Sequence, residues 1–265
     1  MAVIGGIIVI IRRMLLSKLH QSTLFFKQVY NRTNINQCVI CLNPSKNNIC
    51  PTCQPRLPTL KHHCPMCAEP SHHDHICGAC LSKPPAFKQV ICPFILSSPV
   101  STLVKRWKDR RKHVGSDILI QALLNKLQHY SFDAIVYVPY HWSRLLKRGK
   151  HPVRQLAQCI SNELNAPLLD VFTRLNQQHT QKGLSRKERQ ANLRYAFAIN
   201  KKQQPLDGLN VLLVDDVLTT GATAHRLSML LNAQGAKSVS VACLARTPLK
   251  PLQHDIPREP LKYTE

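Results

Sequence analysis

Residues 211–223 read Val-Leu-Leu-Val-Asp-Asp-Val-Leu-Thr-Thr-Gly-Ala-Thr, and no other stretch limits the fold so tightly. An apolar run ends in two acids, passes through a turn of Thr and Gly, and opens into a stretch with helical spacing over 222–232. A wholly apolar strand is covered on both faces, as in a parallel sheet flanked by helices. Its end then lies at the carboxyl edge of the sheet, where open α/β folds bind ligands. Gly221 lets the backbone approach a phosphate closely. Thr219, Thr220 and Thr223 offer hydroxyl donors, and the helix that starts at Ala222 adds free N–H groups at its positive dipole end. Asp215 and Asp216 repel a phosphate. They are placed instead to accept hydrogen bonds from a sugar diol and to hold Mg²⁺ through oxygen or water. A plain strand, Asx turn and Thr cap is the structural alternative; the length of the string favours the ligand site.

The flanking sequence supports an α/β chain. Strands are expected at Val90–Leu96, Ala134–Pro139, Leu209–Val214 and Val239–Leu244. Helices are expected over 116–130, with Ile118, Leu119, Ala122, Leu123, Leu127 and Tyr130 on one face, and over 152–164, with Val153, Leu156, Ala157, Ile160 and Leu164. Gly235 is a natural stop for the helix that begins at Ala222. Strands alternating with helices imply a parallel sheet with helices on its faces.

Upstream lies a different kind of sequence. Eight of the 11 cysteines form four Cys-x-x-Cys pairs, Cys38/Cys41, Cys50/Cys53, Cys64/Cys67 and Cys77/Cys80, separated by eight, ten and nine residues. Two such pairs supply four thiolates to a tetrahedral zinc ion, so four pairs imply two zinc sites. Sequential and interleaved pairing are both open at this level. Histidines between 62 and 75 are not needed as ligands beside a full cysteine set. Cys92, Cys159 and Cys243 lie in apolar runs and are expected in the core. Metal-held thiols fit a reducing cytoplasm better than a secreted setting. The expected organisation is an N-terminal extension over 1–37, a double zinc ribbon over 38–83, the α/β domain over 88–250 and a tail over 251–265.

The string at 211–223 resembles the loop for 5-phosphoribosyl 1-pyrophosphate (PRPP) in type I phosphoribosyltransferases. That resemblance implies ribose binding by Asp215 and Asp216, and a 5′-phosphate wrapped by Thr219, Thr220, Gly221, Ala222 and Thr223. It also implies a chemistry in which pyrophosphate leaves C1 of the ribose with the help of Mg²⁺. Joined to a double zinc ribbon, it resembles the ComF family of competence-associated proteins. Further segments carry the likeness: Cys77-Gly-Ala-Cys-Leu-Ser-Lys-Pro-Pro85, Leu103-Val-Lys-Arg-Trp-Lys-Asp-Arg110, Val138-Pro139 with Arg144-Leu-Leu-Lys-Arg-Gly149, and Gln181–Asn192 reaching Phe197. The family's usual Phe-Asn-Gln after the Arg-Gly of that loop is replaced by Lys150-His151-Pro152. The resemblance implies a role in DNA uptake during natural transformation, with single-stranded DNA and other uptake proteins as partners.

Charge points the same way. The 265 residues carry 36 Lys and Arg against 14 Asp and Glu, a net charge of +22, an excess that favours polyanions, with a solvated basic surface as the equal alternative. Lys105, Arg106, Trp107, Lys108 and Arg110 pack cations around one indole, the pattern of a stacking platform for single strands. The alternative puts Trp107 in the core beneath a solvated helix face. Arg144 and Arg148 belong to a second basic loop, equally placed for pyrophosphate, and Lys182–Arg194 is a third basic run. Residues 2–11 are apolar but too short to span a bilayer, and their cations follow rather than precede them, against a signal peptide. A true start at Met14 is the expectation, with weak attachment to a membrane surface as the second reading. Two functions follow: handling of single-stranded DNA by a PRPP-binding protein, or phosphoribosyl transfer to an acceptor that nothing in the sequence names. A purely structural zinc scaffold is a third.

Overall fold

The computed structural model describes residues 37–108, 115, 117–140, 151–174, 197–200 and 205–249. The chain divides into two units, Met1–Cys50 and Pro51–Glu265. In the first, the described residues form a tight knuckle. The Cys38 amide donates to the Asn43 carbonyl at 2.8 Å, and the Leu42 amide to the Cys38 carbonyl at 2.8 Å. Leu42 takes a positive φ of 62° to close the turn.

The second unit repeats this design at Cys64. Its amide donates to the Glu69 carbonyl at 2.9 Å, the Ala68 amide returns to the Cys64 carbonyl at 2.9 Å, and Ala68 has φ 55°. A short helix, α1 (Gly78–Ser82), closes the ribbon.

The rest of the second unit is built on parallel strands: β1 (Gln89–Ile91), β2 (Phe94–Ile95), helices α2 (Val100–Lys108) and α3 (Asp117–Leu127), β3 (Ala134–Tyr137), α4 (Pro152–Leu164), β4 (Phe172–Arg174), β5 (Phe197–Ile199), β6 (Asn210–Val214), β7 (Val217–Leu218), α5 (Ala222–Ala233), β8 (Ser238–Ala242) and β9 (Ala245–Arg246). Four strands pair in the order β1-β8-β6-β3, all parallel. A second sheet has the order β2-β9-β7, the same three chain segments one step further along. Pairing therefore lapses for two residues in each, at Cys92-Pro93, Asp215-Asp216 and Cys243-Leu244, and then resumes. Proline, which has no N–H for the ladder, accounts for the interruption in the first segment. The expected strand Val90–Leu96 is thus two short strands, and β4 with β5 forms a separate antiparallel pair that no periodicity announces.

The core follows from the apolar runs. Val211, Leu212, Leu213 and Val214 are all fully buried, and Leu119, Leu123, Leu156, Ile160, Leu227 and Leu231 fill the space between sheet and helices. The α4 spacing gives the helix at the expected bounds; His151 caps it by accepting from the Arg154 amide at 3.1 Å. Tyr130 falls beyond α3 and is exposed. Helix α5 ends as expected at Gly235, whose φ is +88°; a Cβ there would lie 1.9 Å from Asp207 Oδ1. Among the described residues no helix is long and apolar enough to cross a membrane; the apolar run 2–11 lies outside them.

Candidate functional site: a phosphate loop and two cysteine clusters

The two acids stand where the parallel pairing lapses. The Asp215 amide donates to Ala242 O at 2.9 Å, and Asp216 O accepts from the Leu244 amide at 3.0 Å. The backbone is thereby fixed while both carboxyls are left to other partners. Asp216 Oδ2 receives the Tyr140 hydroxyl at 2.7 Å and the Lys108 ammonium at 2.9 Å. Asp215 Oδ1 accepts from the Asp216 amide at 2.8 Å. Burial, and then the neighbouring Asp216 charge, push the Asp215 carboxyl up to about 8 against the partial relief given by the Asp216 amide and, after it, Lys108. A carboxylate oxygen that already holds an ammonium fits a cation, and Mg²⁺ is commonly bound through one or two carboxylates plus substrate phosphates.

Beyond β7 the loop opens to solvent. Thr219 and Thr220 are exposed, and Gly221, Ala222 and Thr223 are partly so. Gly221 has φ +76°, and a Cβ there would meet only Phe87 Cζ at 4.0 Å. Backbone torsion, rather than space, is what the chain requires of glycine at this position. The Ala222 amide points to Thr220 Oγ1 at 3.3 Å.

Nothing in the sequence places Lys108 or Tyr140 in this site. Lys108 closes α2 on a run that reads as a nucleic-acid patch; the fold turns it to Asp216. Tyr140 follows β3, which pairs directly with β6, so strand adjacency delivers it. His151 stacks on Tyr140 with ring centroids 4.7 Å apart. Burial lowers the His151 imidazole to about 4. One of the positions that departs from the family pattern thus backs a residue that touches Asp216.

The cysteines gather into two clusters, Cys38, Cys41, Cys50, Cys53 and Cys64, Cys67, Cys77, Cys80, each with its sulfurs within 4.8 Å of one another. This is the sequential pairing. The Cys41–Cys50 and Cys67–Cys77 sulfurs are 3.8 and 3.7 Å apart, matching the edge of about 3.8 Å expected for a tetrahedron with Zn–S near 2.3 Å. Amide donors reach the first sulfur of each set, Cys50 N to Cys38 Sγ at 3.4 Å and Cys77 N to Cys64 Sγ at 3.4 Å. Burial raises both thiols, but these and neighbouring amides outweigh it and hold Cys38 at about 6 and Cys64 at about 7. In the second cluster burial instead pushes Cys67 up to about 11 and raises Cys80 as well. The His62 imidazole meets Asp74 and the His63 imidazole meets the Lys61 carbonyl, instead of the sulfurs.

Other sequence readings change. Trp107 is 5% exposed and lies on the inner face of α2; the core alternative is the one the fold adopts, and no base can stack on the indole there. Lys105 is exposed and Arg106 partly so. Arg110, Arg144 and Arg148 lie outside the described residues, as does the run Lys182–Arg194. Cys92 and Cys243 are buried as expected, but Cys159 is exposed: its position on α4 turns to the outer face, away from Leu156 and Ile160.

Comparison with known proteins adds the family. The family described as "Double zinc ribbon domain" matches residues 33–81, and "Phosphoribosyl transferase domain" matches residues 153–258. The DNA utilization protein YhgH of Escherichia coli strain K12 is 33% identical over 222 residues, 79% of this chain and 96% of that protein. Competence protein F of Haemophilus influenzae is 30% identical over the same shares of the two chains. The chain belongs to the ComF family. A further ComF relative, competence protein ComFC of Bacillus subtilis, is 25% identical over 80% of this chain and 89% of that one. Among solved structures, the purine phosphoribosyltransferase of Pyrococcus horikoshii is 24% identical, with a TM-score of 0.33 over 51% of this chain and 77% of that one. The ribbon match takes in all eight cluster cysteines of this ComF chain. The transferase match takes in Asp215 to Thr223 but starts after Lys108 and Tyr140, so these two enter the site from outside the matched segment.

Proposed function

We propose that this chain is a ComF-type competence protein of the cytoplasm. In this reading its transferase-like domain binds PRPP with Mg²⁺, and its basic surface handles single-stranded DNA during uptake. The observation that carries the PRPP half is the convergence of Lys108 and Tyr140 on Asp216 beside an open Thr219–Thr223 loop. Asp215 and Asp216 would accept from the ribose hydroxyls, Asp216 Oδ2 would hold the metal in place of the ammonium, and the loop's N–H and hydroxyl groups would hold the 5′-phosphate. Bound Mg²⁺ would supply neutralisation of pyrophosphate charge. Lys108, released from Asp216, would be free to meet a pyrophosphate oxygen. The DNA half is supported by the net charge of +22 and by relatives whose names speak of DNA utilization and competence. Association with other uptake proteins belongs to the same reading.

The test is calorimetry with PRPP and Mg²⁺ beside a fluorescence titration with single-stranded DNA. The double variant Asp215→Asn, Asp216→Asn is expected to lose PRPP binding and keep its fold. Unchanged affinity in that variant would refute the assignment. A second reading, phosphoribosyl transfer to a small-molecule acceptor, is favoured by the intact donor side: both acids and all three threonines are present. Release of pyrophosphate that depends on an added nucleobase or amine would establish it.

A further inference from the structure

Arg246 heads the fully buried side chains among the described residues by size, at 1% exposure. A guanidinium so buried must be paired and fully hydrogen-bonded, because an uncompensated charge in the interior is costly. Its partners come from two places far apart in the chain. On one side Nη2 meets Glu69 Oε2 at 2.8 Å, and Nε donates to the Cys67 carbonyl at 3.0 Å. Cys67 is a member of the second cysteine cluster, and the Glu69 carbonyl takes the Cys64 amide in the same knuckle. On the other side Nη1 donates among the Leu218 carbonyl at 3.1 Å, the Thr219 carbonyl and the Thr247 carbonyl at 2.5 Å. The Leu218 carbonyl closes β7 and the Thr219 carbonyl begins the phosphate loop.

We infer that Arg246 is a positioning residue that makes the geometry of the phosphate loop depend on the second cysteine cluster. The inference rests on the PRPP reading only for the identity of the ligand. In a trans peptide the C=O and the following N–H point in opposite directions. Holding Thr219 O inward on the guanidinium therefore turns the Thr220 N–H outward, into the space a phosphate would fill. The guanidinium can hold that carbonyl only while its own charge is answered, and Glu69 answers it. Glu69 in turn is held by the Leu249 amide at 2.8 Å and by its place in the Cys64–Cys67 knuckle. A zinc ion at the four sulfurs fixes that knuckle; without it Glu69 and the Cys67 carbonyl lose their positions, and the loop loses its anchor. The ribbon thereby becomes part of the ligand site without touching the ligand.

The test uses the full zinc-loaded chain. Glu69→Gln keeps the shape of the side chain and removes its charge, leaving every cysteine in place. The expected results are an unchanged zinc content and amide exchange in 218–223 about tenfold faster, the scale of one charge-assisted hydrogen bond. PRPP·Mg²⁺ affinity should weaken about tenfold on the same scale. Asp74→Asn alters a charge of the same ribbon that meets the His62 imidazole and the His63 amide rather than Arg246, and is expected to change neither reading. Cys77→Ser, which disables the second cluster, should speed exchange in 218–223 while strand 210–214 stays protected. Loop exchange unchanged in Glu69→Gln with zinc retained would overturn the inference, and so would equal acceleration throughout 210–214. If Glu69→Gln does not fold, the Cys77→Ser exchange pattern decides by the same criterion. A wild-type chain that binds no PRPP would defeat the PRPP reading while leaving the exchange arm to judge the coupling.

Discussion

Asp215 raises a question of protons that its neighbours answer. Its carboxyl is pushed up to about 8 from an ordinary 3.8, by burial first and by Asp216 second. The native chain therefore keeps a proton that the unfolded chain gives up near pH 4. Stability from this group is flat below pH 4 and falls as pH rises from about 4 to about 8, since the unfolded chain binds fewer protons in that window. A carboxyl accepts from a diol on both oxygens only when ionised, so PRPP binding near neutrality should release a proton. Calorimetry in buffers of different ionisation heat is expected to show that release, with affinity rising through pH 8; Asp215→Asn should abolish both. Trp107 sets a second test at this scale. With the indole buried, Trp107→Ala should cost about 3–5 kcal/mol of stability, read as a lower denaturant midpoint, and leave the salt dependence of any DNA binding as it was. A loss of DNA affinity at full stability would restore the stacking role.

At the scale of elements, the ribbon is too small to hold itself by apolar burial, and its fold should be metal-dependent. Protein purified without added zinc is expected to carry two zinc ions per chain by elemental analysis. Chelation should remove the structure of the knuckles at Cys38 and Cys64; one ion per chain would contradict the two-cluster arrangement. The same scale shows what a sequence displays. Helix α4 was legible because Val153, Leu156, Ala157 and Ile160 repeat at helical spacing, and β6 because its residues are all apolar. The two cysteine clusters were legible from spacing alone, though their pairing was not: spacing names ligands, while partition needs the chain's path. Strands of two residues such as β7 and β9 have no period to detect. Lys108 looked like one more surface cation because its partner, Asp216, is brought to it only by the packing of α2 against the sheet. Arg246 was invisible for the same reason, its acid lying 177 residues away.

For the whole molecule, a net charge of +22 makes contact with a polyanion a matter of phosphate neutralisation. Log affinity for single-stranded DNA should fall linearly with log salt, by about 0.7 for each phosphate contact. Replacing Lys105 and Arg106 by Ala should reduce that slope. Lys108→Ala should instead shift PRPP affinity, because its ammonium is engaged with Asp216. An affinity that ignores salt would remove nucleic acid from the account. Strand β1, the first to be made, has β8 as its neighbour in the four-stranded sheet, and β8 is the last of those four strands. During synthesis the early strand must wait, unpaired, while the segments up to Ala242 are added. Until then Gln89–Ile91 presents an open edge to solvent. A ribosome that stalls or a message that stops short of residue 238 yields a chain whose edge invites pairing with another chain. Premature termination should thus produce insoluble fragments rather than a free-standing ribbon with a truncated domain, and the burden of guarding the growing chain falls on chaperones until its final strand has emerged.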